Sequence, residues 1–229
     1  MSSDRTRTAI LAAAERLYAD RGFGDVTLRD IVAAADVNLA AVNYHFGSKD
    51  ELIAELFVTR SLALNRERLR ELKAAEDRGG GRANIDDILR ALVGPTLRGC
   101  LGPGNQQSTV ARFMIRVSIE SVPPIRRIRN REIDHLRKFV AALARALPGH
   151  SEAELCWGLH FALAMAQQTV RDSERLTKLS DGKCDVDDVE AIIARVVSVA
   201  VMALAGSEAA KKAPARVPAP NARYSRQDL

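Results

Sequence analysis

TLRDIVAAADVNLAAVNYHFGSKDEL, residues 27–52, reads as two short helices joined by a tight turn and followed at once by the start of a long third helix. Thr27 and Asp30, three residues apart, have the capping-box pattern. Leu28, Ile31, Val32 and Ala35 recur at i, i+3, i+4 and i+7, the apolar stripe of a buried helix face. Ala35-Asp36-Val37-Asn38 is a compact turn, and Asn38 suits the N-cap of the next helix. On that helix Leu39, Val42 and Phe46 fall on or near one side, which leaves Ala40, Asn43, Tyr44 and His45 for other faces. Ser48 with Glu51 makes a second capping box, opening a helix at Lys49. A helix-turn-helix with a short second helix has the shape that enters a DNA major groove, so double-stranded DNA is the expected partner.

Outward from this segment the chain is helical throughout. The first helix should run from about Asp4 to Arg21 and stop at Gly22, with Ile10, Ala14 and Leu17 facing the next two. The helix opened at Ser48 should reach about Ala75, before the Gly79-Gly80-Gly81 break. A helix from Asn84 or Ile85 through Leu92 meets Gly94-Pro95, and residues 99–105 read as a loop. Further helices are expected over about 106–121, Ile125–Leu147, about 152–172 and about 186–205. Pro123-Pro124 suit a first turn, and Ser151 with Glu154 is a third capping box. Period-2 alternation is missing and aromatic content is only 4%, so the fold class is all-α. Three units follow: residues 1–50 with the helix-turn-helix at about 27–46, a helical domain at 51–205 expected to dimerise, and a disordered basic tail at 206–229.

Composition narrows the function classes. The chain has 34 Lys and Arg against 29 Asp and Glu, a net charge of +5. Residues 1–50, however, hold Arg5, Arg7, Arg16, Arg21, Arg29 and Lys49 against Asp4, Glu15, Asp20, Asp25, Asp30, Asp36 and Asp50. A non-specific DNA-architectural protein, which depends on phosphate neutralisation, fits that balance poorly. Nucleophile elbows, phosphate-binding Gly loops and HExxH pairs are missing, so the rival reading of a helical enzyme that kept a helix-turn-helix has no chemistry behind it. Cys100, Cys156 and Cys184 are widely spaced and odd in number, as in a reducing compartment. No metal site and no cofactor are expected. Apolar runs are interrupted before spanning length and no signal-peptide core opens the chain, so a cytoplasmic protein without a membrane partner is expected.

Residues 7–52 resemble the DNA-binding domain of the TetR family of bacterial transcription regulators. The resemblance rests on Ile10-Leu11, Ala13-Ala14, Leu17-Tyr18, Gly22-Phe23, Thr27, Arg29-Asp30-Ile31, Ala35, Val37, His45-Phe46 and Ser48-Lys49. It implies a homodimeric repressor on a palindromic operator, released by a small-molecule effector held in a helical C-terminal domain. Thr27, Tyr44, His45 and Lys49 would then position the DNA backbone, with Asn38, Leu39, Ala40 and Asn43 nearest the base edges. Two departures stand out: Ala40 replaces the family's usual Gly, and Asn43 its usual Tyr, with the aromatic one place later at Tyr44. Either Tyr44 takes over the phosphate contact, or Asn43 reads adenine N6 and N7. VNLAAVNYHFGSK with LCWGLHFALAMA (155–166) also resembles the fatty-acid-responsive subgroup, which implies an acyl or similarly lipophilic effector.

Candidates for the C-terminal functions come from two apolar helices. Leu155, Leu159, Leu163, Ile193, Val196 and Val197 lie on helices apolar around most of their circumference. They either form a four-helix dimer interface or are central core helices. Trp157, His160 and Gln167, with Arg112 and Arg116 one turn apart on another helix, are candidates for lining the effector cavity. The same polar groups could instead sit at the interface rim, and the arginine pair could be a plain surface pair.

Overall fold

A computed structural model describes residues 3–206 apart from 103, 105–107 and 121. The expected disordered tail, from 207 on, lies outside the described residues. The described chain is built of α1 (Ser3–Arg21), α2 (Leu28–Ala35), α3 (Leu39–Phe46), α4 (Lys49–Arg78), α5 (Ile85–Leu101) and α6 (Thr109–Ile119). It continues with α7 (Pro123–Arg131), α8 (Asp134–Ala146), α9 (Glu152–Arg171), α10 (Ser173–Leu179) and α11 (Val189–Ala205). The all-α expectation holds across the described residues.

Two cores organise these helices. The N-terminal core packs Ile10, Tyr18, Phe23, Ile31, Val42 and Phe46 around α1–α3. It does not end at residue 50: Leu52, Ile53, Leu56 and Phe57 of α4 join it, as do Phe113 and Val117 of α6 and Ile125 of α7. Phe23 stacks on Tyr18 with centroids 4.9 Å apart and meets Phe113 edge-on at 5.7 Å. The second core centres on α5, whose Ile88, Leu89, Leu92, Val93 and Leu97 are fully buried among α4, α8, α9 and α11.

Two expectations about helix ends are corrected. Helix α5 does not stop at Gly94-Pro95 but passes through both, which are buried. A proline inside a helix costs about 3 kcal/mol, and burial of Leu97, Cys100 and Leu101 beyond it, at about 1.5–3 kcal/mol per large apolar side chain, offsets that. The expected single helix 125–147 is two, broken at Glu132 and Ile133. Ile125 and Ile128 face the N-terminal core, whereas Leu136, Phe139 and Leu143 face the second. One straight helix could not serve both. The 152–172 helix is followed by the short α10, which buries none of its residues.

Candidate nucleic-acid interface and helical cavity

Local side-chain bonds build the helix-turn-helix. The Thr27 hydroxyl accepts from the Asp30 amide at 3.2 Å, and the Thr27 amide donates back to Asp30 Oδ2 at 2.8 Å. The Thr27 hydroxyl also donates to Asp30 Oδ2 at 2.5 Å, and this bond first, then the amide one, holds the Asp30 carboxyl below its ordinary range. Asp36 ends α2 in the left-handed region at φ 53°, a conformation that Asp tolerates better than most residues. Asn38 Oδ1 then accepts from the Ala41 amide at 2.8 Å and caps α3. That oxygen is committed to the backbone, so the Asn38 side chain orients the helix.

Helix α3 buries Val42 and Phe46 and turns its other faces outward. Leu39, expected near the buried side, is 43% exposed, and Tyr44 is 82% exposed. Ala40 and Asn43 are also exposed, while His45 is half-buried with Tyr44 edge-on at 5.1 Å. The outer surface is thus an apolar-and-amide strip of Leu39, Ala40 and Asn43 ending in a projecting phenol. Lys49, expected to meet phosphate, turns inward: its ammonium donates to the Phe23 carbonyl at 2.8 Å and lies 6.0 Å from the Tyr18 ring centre. A surface cation that sequence reasoning passed over is Arg29, exposed on α2 with no ion pair among the described residues. Its sequence signals were its place two residues after the Thr27 cap and its match to the family pattern at Arg29-Asp30-Ile31.

The second domain forms a partly open cavity of about 450 Å³ between α4, α5, α6, α7, α8 and α9. That is in the range of small-molecule pockets, about 300–1,000 Å³. Of the five residues expected to line it, Gln167 does, as an exposed residue at its edge. Trp157 and His160 do not: Trp157 is 60% exposed on the outer side of α9 and stacks with Phe161 at 5.4 Å, with His160 edge-on to it at 5.8 Å. Arg112 and Arg116 do not line it either. Arg112 pairs with Asp20 at 3.0 Å, and Arg116 reaches the Asp20 carbonyl at 3.4 Å and Glu120 at 3.6 Å. Glu120 in turn accepts from the Phe23 amide at 2.8 Å. The pair clasps α6 to the end of α1. Cys100 also borders the cavity, and burial pushes its thiol up to about 11, so it stays protonated and inert.

The expected interface residues are corrected as well. Leu155, Leu159, Ile193, Val196 and Val197 are buried within a single chain, and Leu163 lines the cavity. The faces that remain open carry Trp157 and Phe161 on α9 and Val199 and Met202 on α11, the last 62% exposed. The two helices cross closely at Gly158, where a Cβ would come within 2.2 Å of Leu204 Cδ2. Among the described residues no helix is long and apolar enough to cross a membrane, and no three His, Cys, Asp or Glu side chains gather as a metal site.

A capped tri-helical head with an exposed third helix, joined to a helical body with a partly open cavity, defines the helix-turn-helix class. Two family models match the chain: "Bacterial regulatory proteins, tetR family" over residues 10–56, and "Tetracyclin repressor-like, C-terminal domain" over residues 90–203. The chain belongs to the TetR family. An HTH-type transcriptional repressor of Mycobacterium tuberculosis is 44% identical over 50 residues, 22% of this chain and 27% of that protein. The chain therefore matches about a quarter of the length of such curated relatives. FadR of Bacillus subtilis, solved with stearoyl-CoA, superposes with a TM-score of 0.57 at 14% identity, covering 87% of this chain and 98% of that one. A gamma-butyrolactone receptor superposes at 0.54 with 22% identity, covering 90% and 99%. These structural likenesses concern the fold.

Proposed function

We propose that the chain is a homodimeric transcriptional repressor that reads a palindromic operator with α3 and is released by a small molecule in the α4–α9 cavity. The observation that carries this reading is the exposed strip Leu39, Ala40, Asn43 and Tyr44, held rigid by the Asn38 cap. Thr27, Tyr44, His45 and Arg29 position the backbone; Leu39, Ala40 and Asn43 meet base edges, and Lys49 supports the reading head from within. The dimer forms through the open faces of α9 and α11, where Trp157, Phe161, Val199 and Met202 are exposed apolar side chains.

Release follows from differential binding to two arrangements of the dimer. Helix α4 runs from the reading head into the cavity wall, and its Arg60, on that wall, holds the buried Glu15 of α1 with two bonds of 2.5 Å. Helix α6 lines the cavity with Met114 and Val117 and clasps α1 through Arg112, Arg116 and Glu120. A ligand that spreads α4 from α6 thereby tilts α1 and the head it supports. Lipophilic molecules fit the wall, in line with the stearoyl-CoA and gamma-butyrolactone named for the two solved relatives.

The test is fluorescence anisotropy of the full chain with a duplex enriched from random sequence and with a scrambled one, at two salt concentrations. A repressor prefers the enriched duplex at both, and an effector weakens only that complex. Equal affinity for the two duplexes would replace this reading with non-specific binding.

A further inference from the structure

Arg68 of α4 is 8% exposed, on the cavity wall. Its Nη2 donates to Thr96 Oγ1 at 2.8 Å and its Nη1 to Asn65 Oδ1 at 3.2 Å, both neutral acceptors. Its Nε has no partner, and no carboxylate pairs with it among the described residues. The acids on the same wall are engaged elsewhere: Glu67 binds Arg70 at 2.9 Å, and Glu132 meets Arg131 at 3.3 Å. Burial without a counter-charge lowers the Arg68 guanidinium to about 10, which leaves it fully charged near neutral pH. Burial, with the Arg68 charge second, holds His135 on the same wall below its ordinary value. A buried, uncompensated charge is costly enough that a chain rarely keeps one without a partner.

Beside these polar groups the cavity wall carries Leu64, Met114, Val117, Leu136, Leu163 and Val170. Of the three arginines on the wall, Arg60 is paired with Glu15 and Arg129 is exposed, so Arg68 is the buried charge left unpaired, and a planar carboxylate suits its guanidinium. We propose that the cavity binds an amphiphilic monocarboxylate, its carboxylate paired with the Arg68 guanidinium and its apolar body against those side chains. The ligand then supplies the counter-charge that the fold lacks. This rests on the cavity being the effector site, and moves recognition of an acidic group from Arg112 and Arg116 to Arg68.

Calorimetric titration of the full chain with decanoate and phenylbutanoate, each beside its matched primary alcohol, tests it. At least one acid should bind, and at least about tenfold tighter than its alcohol, as a charge-assisted pair requires. Arg68→Met should abolish that preference, and Arg68→Lys should restore part of it because the charge returns without the fork. Equal binding of acid and alcohol by the unaltered chain overturns the proposal, whether or not the variants fold. So does an undiminished acid preference in folded Arg68→Met, and so does failure of both acids to bind. Anisotropy on enriched DNA separates the two readings: intact DNA binding with no acid binding sinks only the headgroup assignment, whereas loss of sequence preference in the unaltered chain sinks the regulator itself.

Discussion

At Asn43 and Tyr44 the two side chains differ in what they can do for DNA. Asn43 offers a paired donor and acceptor, the match for adenine, while Tyr44 offers one hydroxyl on a projecting ring suited to phosphate. Asn43→Ala is therefore expected to relax preference at one position per half-site, worth about 1–3 kcal/mol of discrimination. Tyr44→Phe should weaken all duplexes alike. Competition with single-base operator variants checks both, and the opposite pattern would exchange the two roles. His135 gives a separate, pH-dependent signature. Its folded pKa lies below the ordinary 6.5 because of burial first and the Arg68 charge second, opposed by Asp134 and Glu132. The folded chain thus takes up fewer protons there than the unfolded one. The contribution is intact above about 6.5 and is lost as pH falls below it. Urea midpoints measured across that window should fall less steeply for His135→Gln than for the unaltered chain.

Among the elements, the reading head was legible in the sequence because its signals are local. Thr27–Asp30, Asn38 and Ser48–Glu51 all act within three residues, so the caps found in the structure could be read directly. The break at Glu132-Ile133 was not legible: no Gly or Pro marks it, and its cause is the demand of two separate cores on one stretch of chain. The outward faces of α9 and α11 were hidden for a related reason. Both sides of each helix are apolar, so periodicity could not say which side the chain itself would cover. Buried Arg68 was passed over because its pattern position carries no mark of burial. Arg112 and Arg116 were placed on a ligand when their partners lie on α1, 92 or more residues away. The clasp they form gives an element-level prediction. Glu120→Ala removes the acceptor of the Phe23 amide and one ion-pair partner, together worth about 1–3 kcal/mol. DNA affinity without effector should change little, while the effector's power to release DNA should drop several-fold. Titrating effector into preformed complex shows whether it does.

For the whole molecule the decisive quantity is assembly. A single chain leaves Trp157, Phe161, Val199 and Met202 uncovered, while Val196 is sealed inside. Trp157→Glu with Phe161→Glu should give a folded monomer by light scattering, whereas Val196→Asp should unfold the chain by burying an unpaired charge. Trp157 emission should report dimer dissociation rather than cavity filling, since the indole lies outside the cavity. A two-fold dimer sets its two α3 helices about 34–36 Å apart, or a small multiple, so the DNA it selects must repeat with matching symmetry. Selection of bound duplexes from a random library by the full chain, followed by sequencing, tests that directly. The account predicts a near-palindrome with half-sites centred about one helical turn or a small multiple apart. A library that emerges with no enriched sequence, or with one unrepeated half-site, would contradict it.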